Sequence, residues 1–458
     1  MHILIIGAGP GGYETAVAAA SKGVEVTIVS DGPVGGTCLN EGCIPTKSFC
    51  RNAEIVDNFR NSAEFAMENV SWDFNFSKVL ERKDAVVAQL RSGVEFLLKN
   101  KQIRLIYGRA SFKSNTEVTV SHADGSPSED ISADYIIIAT GSISASLPVP
   151  GADLPGVITS REILNIEEVP SELCVIGAGV IGLEFASVFN SFGSKVTVVE
   201  YFKDILPRFD TDMSKRLKQS LTRKGIEIET SASVQAIEQC EGGKLAVKYI
   251  KKDKECVVTA DKVLMAVGRR PNVSSLNLEV TGVEFSPKGI VTDENMRTNV
   301  PNIYAIGDVR GKMMLAHVAT FEGYRALGSI LAGGGTPDDG INFGIIPAAV
   351  FTSPEAATVG KTEDECKAEG MKVKCLKSFY RANGKALSMA ESDGYCKIVV
   401  EAETGRILGC HMFGAHSSDI VQEVAAIMNM NGTVTDFKQI IHAHPTLVEV
   451  LQSAVHSV

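Results

Sequence analysis

The chain has 458 residues, 44% hydrophobic and 22% charged, with 45 Lys and Arg against 55 Asp and Glu for a formal net charge of −10. That length suits roughly three domains with sizeable cores. The acidic balance, with no basic stripe, argues against a nucleic-acid partner, and no uncharged apolar run approaches the roughly 20 residues of a membrane span. Met1 leads almost at once into the apolar run Ile3-Leu4-Ile5-Ile6, which leaves no room for a signal or transit peptide and points to a cytoplasmic chain.

That run predicts a strand. The sequence Gly7-Ala8-Gly9-Pro10-Gly11-Gly12 follows it, then a helix through about Ser21 and a second strand from Val24 to Val29, which together make a βαβ unit. Gly7 permits the tight turn, Gly9 lets a pyrophosphate approach the backbone, and Gly12 lets helix and strand pack closely, with the helix N-terminus facing the phosphate charge. The carboxylate expected at the end of the second strand is replaced by Ser30, with Asp31 next. Either Asp31 holds the ribose from one position later, or Ser30 does so through a weaker neutral hydrogen bond.

Next comes Gly35-Gly36-Thr37-Cys38-Leu39-Asn40-Glu41-Gly42-Cys43-Ile44-Pro45-Thr46-Lys47. In a regular helix Cys38 and Cys43 would have Cα atoms roughly 8.6 Å apart, whereas a disulfide needs roughly 4.4–6.8 Å. A bridge therefore requires local unwinding, which Gly42 and Pro45 permit, and a bridge in distorted backbone is easier to reduce than a structural one. The competing reading is two unrelated packing thiols. The other eight cysteines are scattered without metal-ligand spacing, so no metal site is expected and they read as free thiols in a reducing compartment.

Pro148, Pro150, Gly151, Pro155 and Gly156 form a linker-like stretch. A second fingerprint, Gly177-Ala178-Gly179-Val180-Ile181-Gly182, follows a strand from Leu173 to Ile176 and precedes a helix to about Phe192 and a strand from Lys195 to Val199. This unit ends on Glu200. A carboxylate there accepts both ribose hydroxyls of an adenosine and repels a 2′-phosphate, so NAD is favoured over NADP, and Lys203 nearby does not by itself reverse that preference. Two such units beside a dithiol suggest an electron path, with one dinucleotide bound permanently as flavin and the other exchanging as nicotinamide. A flavin oxidase or monooxygenase would leave the cysteine pair without a role.

Gly333-Gly334-Gly335-Thr336-Pro337 marks another linker. Beyond it Lys397-Ile398-Val399-Val400 and Ile407-Leu408-Gly409-Cys410 flank Glu403-Thr404-Gly405, a hairpin signal, and a helix follows from about Ser417. His444 precedes Pro445, which pushes its backbone towards an extended conformation, while Pro445 suits the first turn of a helix. That helix is expected to present Leu447, Val448, Val450, Leu451, Ala454 and Val455 as its apolar face. His444 then stands at a helix start with Glu449 close enough to bias one ring tautomer and stabilise the imidazolium; an ordinary helix cap would read the same way.

Taken in order, the dithiol run, Ala139-Thr140-Gly141-Ser142, Ala266-Val267-Gly268-Arg269-Arg270-Pro271-Asn272, Ala305-Ile306-Gly307-Asp308 and His442-Ala443-His444-Pro445-Thr446-Leu447-Val448-Glu449 resemble the pyridine nucleotide-disulfide oxidoreductases over essentially the whole chain, the dihydrolipoamide dehydrogenase branch most closely. The resemblance implies an α/β fold with two Rossmann-like dinucleotide-binding domains, for FAD and NAD, and a C-terminal α+β dimerisation domain. Its divisions would be a flavin domain to about residue 147, a nicotinamide domain over 148–271, a central domain completing the FAD site over 272–342, and an interface domain over 343–458. Asp308 would hold the flavin ribityl chain, Ala316 and His317 would lie near the isoalloxazine ring, and Lys47 would sit by the flavin, paired with Glu184. Thr140, Gly141 and Gly268 are carried over as further cofactor-binding positions.

The activity implied is oxidation of protein-bound dihydrolipoyl groups with reduction of NAD⁺ to NADH, through a Cys38–Cys43 disulfide and one tightly bound FAD per subunit. His444 would take the substrate thiol's proton, Cys38, the more exposed sulfur in this family, would form the mixed disulfide, and Cys43 would be released as a thiolate against the flavin. His444 and Glu449 would reach the active site of the other subunit, so the functional unit implied is a homodimer with shared active sites. His442 is assigned a structural role. No lipoyl domain is fused to the chain, so the lipoyl group would arrive on another protein, the lipoyl-bearing acyltransferase of a 2-oxoacid dehydrogenase complex or the glycine-cleavage carrier protein. Departures from the family pattern are Ser30, Val448 in place of a small polar residue, and Glu41 between the cysteines. A glutathione-type reductase would use NADPH, against Glu200. A mercuric reductase would carry cysteines in the tail Leu451 to Val458, and a catalytically silent component would not need Cys38, Cys43, His444 and Glu449 intact.

Overall fold

The structure, a computed structural model, describes residues 1–457. The chain divides into two compact units. The first comprises Met1–Ser48, Leu80–Ala145 and Arg269–Ile341. Its centre is a five-stranded sheet in the order Ile303–Ala305, Tyr135–Ile138, His2–Ile6, Glu25–Ser30, Ile103–Tyr107, with every neighbouring pair parallel. Ile3, Leu4, Ile5, Ile136, Ile137 and Ile138 are fully buried. Such continuous apolar runs are what a strand covered on both faces requires. The helix Pro10–Ser21 returns from the first strand to the second, and the helix Ala316–Leu331 packs on it so tightly that a Cβ at Gly11 would lie 2.9 Å from the Ala319 carbonyl oxygen. A small antiparallel sheet, Arg109–Phe112, Glu117–Ser121 and Glu129–Ser132, closes the other face, where Phe112, Val118 and Val120 join the core.

The second unit comprises Phe49–Val79, Ser146–Gly268 and the chain from Asn342. It repeats the parallel design in the order Glu227–Glu229, Lys195–Val199, Glu172–Ile176, Lys262–Met265, Val157–Ile158. An antiparallel meander of Ala232–Gln239, Leu245–Lys251 and Lys254–Ala260 packs against this sheet. The rest is an antiparallel five-stranded sheet in the order Ala348–Val350, Ala356–Gly360, Ile407–Phe413, Tyr395–Glu401, Val373–Phe379, covered by the helices Ser417–Asn429 and Glu449–Val455. The hairpin expected around Glu403-Thr404-Gly405 is therefore present, with longer strands than anticipated, and the helix begins at Ser417 as expected. Among the described residues no helix is long and apolar enough to cross a membrane.

One expected element starts elsewhere. The last helix begins at Glu449, so Pro445 is not in its first turn, and the His444–Pro445 bond is cis. Two side chains hold this stretch in a turn instead. The Thr446 hydroxyl donates to the Ala443 carbonyl at 2.8 Å, and the Thr446 N–H donates to Glu449 Oε2 at 2.8 Å. Such local bonds from short polar and carboxylate side chains compete with helix.

Candidate active site

Each unit contains one copy of the same turn. After the strands His2–Ile6 and Glu172–Ile176 the chain turns at Gly7, φ +112, and at Gly177, φ +105, conformations that a side chain rarely tolerates. A Cβ at Gly12 would fall 1.9 Å from the Gly7 carbonyl oxygen, and one at Gly182 would fall 2.0 Å from that of Gly177. The helices Pro10–Ser21 and Val180–Phe192 start from Gly9 and Gly179 with no side-chain cap. Their first-turn amides are thus available to an anion, and at Gly179 no heavy atom lies within 4 Å of the Cβ position. Both cradles fit a dinucleotide pyrophosphate.

The ribose positions differ between the units. Glu200 follows the strand Lys195–Val199, is 5% exposed, and accepts hydrogen bonds from the N–H groups of Ala178 and Phe202, the latter at 2.7 Å. The carboxylate is thereby fixed against the second glycine turn. In the first unit Ser30 is buried and its hydroxyl donates to the Gly32 carbonyl at 2.8 Å, whereas Asp31 is exposed. Of the two alternatives for the first ribose, Asp31 is the one whose carboxylate faces solvent.

Three segments distant in sequence meet beside the first cradle. Ser142–Ser144 pairs antiparallel with Arg269–Pro271, and Thr140 Oγ1 donates to the Asn272 carbonyl at 2.7 Å while the Asn272 N–H donates to the Gly141 carbonyl at 2.9 Å. The Arg269 guanidinium donates from Nε to Ser142 Oγ and from Nη2 to the Ser142 carbonyl, both at 2.7 Å, and Ser142 Oγ donates in turn to Asp308 Oδ2 at 2.5 Å. Burial pushes the proton affinity of Arg269 down, opposed by the charges of Asp308, Cys43 and Glu41. Asp308 lies on the 3₁₀ turn Gly307–Arg310, which a buried ion pair between Arg310 and Glu322 anchors while Glu322 Oε2 also accepts the Gly307 N–H at 2.6 Å. Ala316 and His317 open the helix Ala316–Leu331, whose N-terminus has no side-chain cap. Gly141 and Gly268 take positive φ at +69 and +116.

The dithiol lies at a break between two helices. Gly36–Glu41 ends at Gly42, φ −145 and ψ −107, and Cys43–Arg60 begins immediately after it. The unwinding that a bridge requires is thus at Gly42, and Pro45 occupies the first turn of the second helix, where a missing N–H leaves no bond unmade. A hydrogen bond to Cys43 is the main cause that raises the Cys38 thiol far above the ordinary range, burial adds to it, and the Lys47 ammonium acts the other way. Cys38 is half-buried and Cys43 exposed, the reverse of the expected order. Cys38 lies within the first helix, whereas Cys43 opens the second beyond the break.

In the second unit His444 Nδ1 is 2.9 Å from Glu449 Oε1, and the imidazole is 79% exposed. The Thr446 N–H, then His444, holds the Glu449 carboxyl below its usual range. The His442 imidazole is only 4% exposed, bonded through Nε2 to Glu423 at 2.9 Å and set against the Phe437 ring, as suits a structural residue. Glu184 is buried and Glu184 Oε1 accepts the Phe351 N–H at 3.0 Å. Val448 packs half-buried against the core of the antiparallel sheet, an apolar contact that a small polar residue would not make.

Residues 1–323 match the family model for pyridine nucleotide-disulphide oxidoreductases, and residues 346–455 match that family's dimerisation domain. The chain belongs to this family. As an oxidoreductase of this kind it is 39% identical to a dihydrolipoyl dehydrogenase of Bacillus subtilis (strain 168), over 100% of this chain and 98% of that one. It is also 39% identical to dihydrolipoyl dehydrogenases of Chlamydia muridarum, over 98% and 94% of the two chains, and of Staphylococcus aureus, over 98% and 95%. Among solved structures, the HOCl-induced flavoprotein disulfide reductase RclA from Escherichia coli is similar, with a TM-score of 0.88 at 30% identity over 100% of both chains. The dimerisation-domain match supports a homodimer. The family uses FAD and NAD(H), and the chain contains two glycine turns of the kind that fits a dinucleotide pyrophosphate. Ser142, Arg269, Arg310 and Glu322 were not singled out from sequence, although Ser142 and Arg269 stand inside motifs quoted above; their only signal was a polar residue next to a glycine.

Proposed function

We propose that this oxidoreductase is a dihydrolipoyl dehydrogenase, oxidising a dihydrolipoyl group carried on a separate lipoyl-bearing protein and reducing NAD⁺. The observation that carries this reading is the His444–Glu449 pair, 2.9 Å apart through Nδ1, on an imidazole that is 79% exposed. The homologues named dihydrolipoyl dehydrogenase support it over the full chain.

In this mechanism Glu449 stays ionised and holds the imidazole by Nδ1, so that Nε2 takes the proton of a dihydrolipoyl thiol. The resulting thiolate attacks Cys38 Sγ of the Cys38–Cys43 disulfide, the sulfur that the family resemblance, and not its exposure here, assigns to this step, forming a mixed disulfide and releasing Cys43 as a thiolate. The second lipoyl thiol then attacks the lipoyl sulfur of the mixed disulfide and gives its proton to the leaving Cys38 sulfur, which frees the oxidised lipoyl ring and leaves Cys38 as a thiol, Cys43 as a thiolate and the first proton on His444. The Arg269 guanidinium and the Cys43 sulfur attract one another electrostatically, and the Cys38 sulfur, whose proton affinity Cys43 and burial raise, is the one that takes up the proton on leaving. FAD, when bound, supplies the two-electron relay between the dithiol and NAD⁺. Gly7, Gly9, Gly12, Asp31, Lys47, Thr140, Gly141, Asp308, Ala316 and His317 are the residues proposed to hold it. Gly177, Gly179, Gly182, Glu200 and Gly268 are proposed for NAD⁺. The same reading divides the chain into domains 1–147, 148–271, 272–342 and 343–458, and has His444 and Glu449 complete the partner subunit's dithiol site.

The test is the initial rate of NAD⁺ reduction by dihydrolipoamide, with purified protein and NADP⁺ as control. Fast turnover with NAD⁺ alone is expected. FAD-loaded protein that leaves dihydrolipoamide unoxidised would move the site to another disulfide substrate.

A further inference from the structure

The strand end that places Glu200 also leaves two large aromatic side chains in water. Tyr201 is 70% and Phe202 54% exposed, with ring centroids 5.6 Å apart and planes at 80°. Their backbone is not loose. The Phe202 N–H donates to Glu200 Oε1 at 2.7 Å, the Phe202 carbonyl accepts the Ser231 N–H at 2.8 Å, and the Leu206 N–H donates to the Ala178 carbonyl at 3.0 Å. The pair is therefore held to the same glycine turn that carries Ala178, at the carboxyl end of the parallel strands, where open α/β sheets take their ligands. Two exposed rings fixed beside a ribose carboxylate are suited to stack on the base joined to that ribose.

We infer that Tyr201, backed by the edge-on Phe202, forms a shelf for the adenine ring of the exchanging dinucleotide. The inference rests on the reading of Glu200 and the second glycine turn as the nicotinamide dinucleotide site. It adds that part of the affinity resides in the base, through a face that neither glycines nor carboxylate provide. The shelf binds adenine by its π-face and does not touch the nicotinamide, so it acts on affinity and not on the chemical step. A ring-to-aromatic stack of this kind changes affinity by about 5- to 100-fold.

The probe is ADP-ribose, which carries adenine, both riboses and the pyrophosphate but no nicotinamide, titrated calorimetrically into FAD-loaded protein. Y201A is expected to weaken ADP-ribose by about 5- to 100-fold and to raise the KM for NAD⁺ by a similar factor with kcat unchanged, while Y201W retains affinity within about threefold of the parent. ADP-ribose binding that Y201A leaves unaltered overturns the shelf alone. Absence of ADP-ribose binding by the unaltered protein overturns both the shelf and the nicotinamide assignment. A fall in kcat with an unchanged KM, or a loss confined to reaction with a lipoyl-bearing protein, places the rings on a protein-docking surface and also overturns it.

Discussion

Replacing His444 by Ala isolates the proton-accepting step from the fold. The imidazole is 79% exposed and outside the hydrophobic core, so its removal changes stability by less than about 0.5 kcal/mol, and bound FAD is retained. An ordinary thiol with a pKa near 8.5 is only about one-tenth ionised at pH 7.5, so losing the base costs about tenfold from thiolate supply alone. Loss of the positioned group that takes and returns the proton brings the total to about 10²–10⁴-fold, or roughly 2.7–5.5 kcal/mol of barrier. Steady-state NADH formation from dihydrolipoamide reads this directly. The variant should also gain about tenfold in rate per pH unit up to about pH 8.5 and then level off, because the substrate must ionise unaided. Glu449→Gln keeps the contact but removes the charge. At about 4 Å and an effective dielectric of 20 the attraction is ~4 kcal/mol, which solvent screening at this exposed pair reduces to ~1 kcal/mol, a loss of about fivefold. A His444→Ala enzyme of undiminished rate, or one that loses activity only together with its flavin, refutes the assignment.

On the proposed assignment the two glycine turns hold different cofactors, and glycine variants separate them. Gly12→Ala puts a Cβ 1.9 Å from the Gly7 carbonyl oxygen and should yield protein with little FAD, whereas Gly182→Ala, at 2.0 Å from the Gly177 oxygen, should keep its flavin absorbance and raise the KM for NAD⁺. Ser142→Ala removes a hydroxyl bonded to both Arg269 and Asp308; hydrogen bonds to charged groups contribute about 1.5–3 kcal/mol, so the FAD dissociation constant should rise about 10- to 100-fold, and unaltered flavin retention on dilution would count against a role for Ser142 in positioning Asp308. Lys397 is buried between Asp210, at 2.8 Å, and Glu363, at 2.7 Å, so Lys397→Met strands a buried carboxylate and should cost about 3–5 kcal/mol in urea unfolding. Glu363 is held down to about 2, first by its bond to Lys367 and then by Lys397. Its folded pKa lies below the ordinary value, so its stabilisation is full above about pH 5 and lost as the pH falls towards 2; the deficit of Glu363→Gln in urea unfolding should therefore be present at pH 7 and vanish near pH 2.

What the sequence determined by itself is local. Glycines at fixed offsets after an apolar run specify a turn whose requirements, a positive φ at Gly7 and no side chain at Gly12, are met within a few residues, so both cradles were legible before any contact was known. The break at Gly42 was legible for the same reason, because helix geometry alone keeps Cys38 and Cys43 too far apart. Tertiary structure decided what joins distant segments. Ser142 is 127 residues from Arg269 and 166 from Asp308, and Lys397 is 187 from Asp210; no periodicity encodes such pairs, which exist only once the sheets bring their strand ends together. It also decided which cysteine faces solvent. The start of the last helix is local by contrast, since Glu449 takes the N–H of Thr446 only three residues earlier, and pairs such as Lys397 with Asp210 are the ones that only the assembled sheets create.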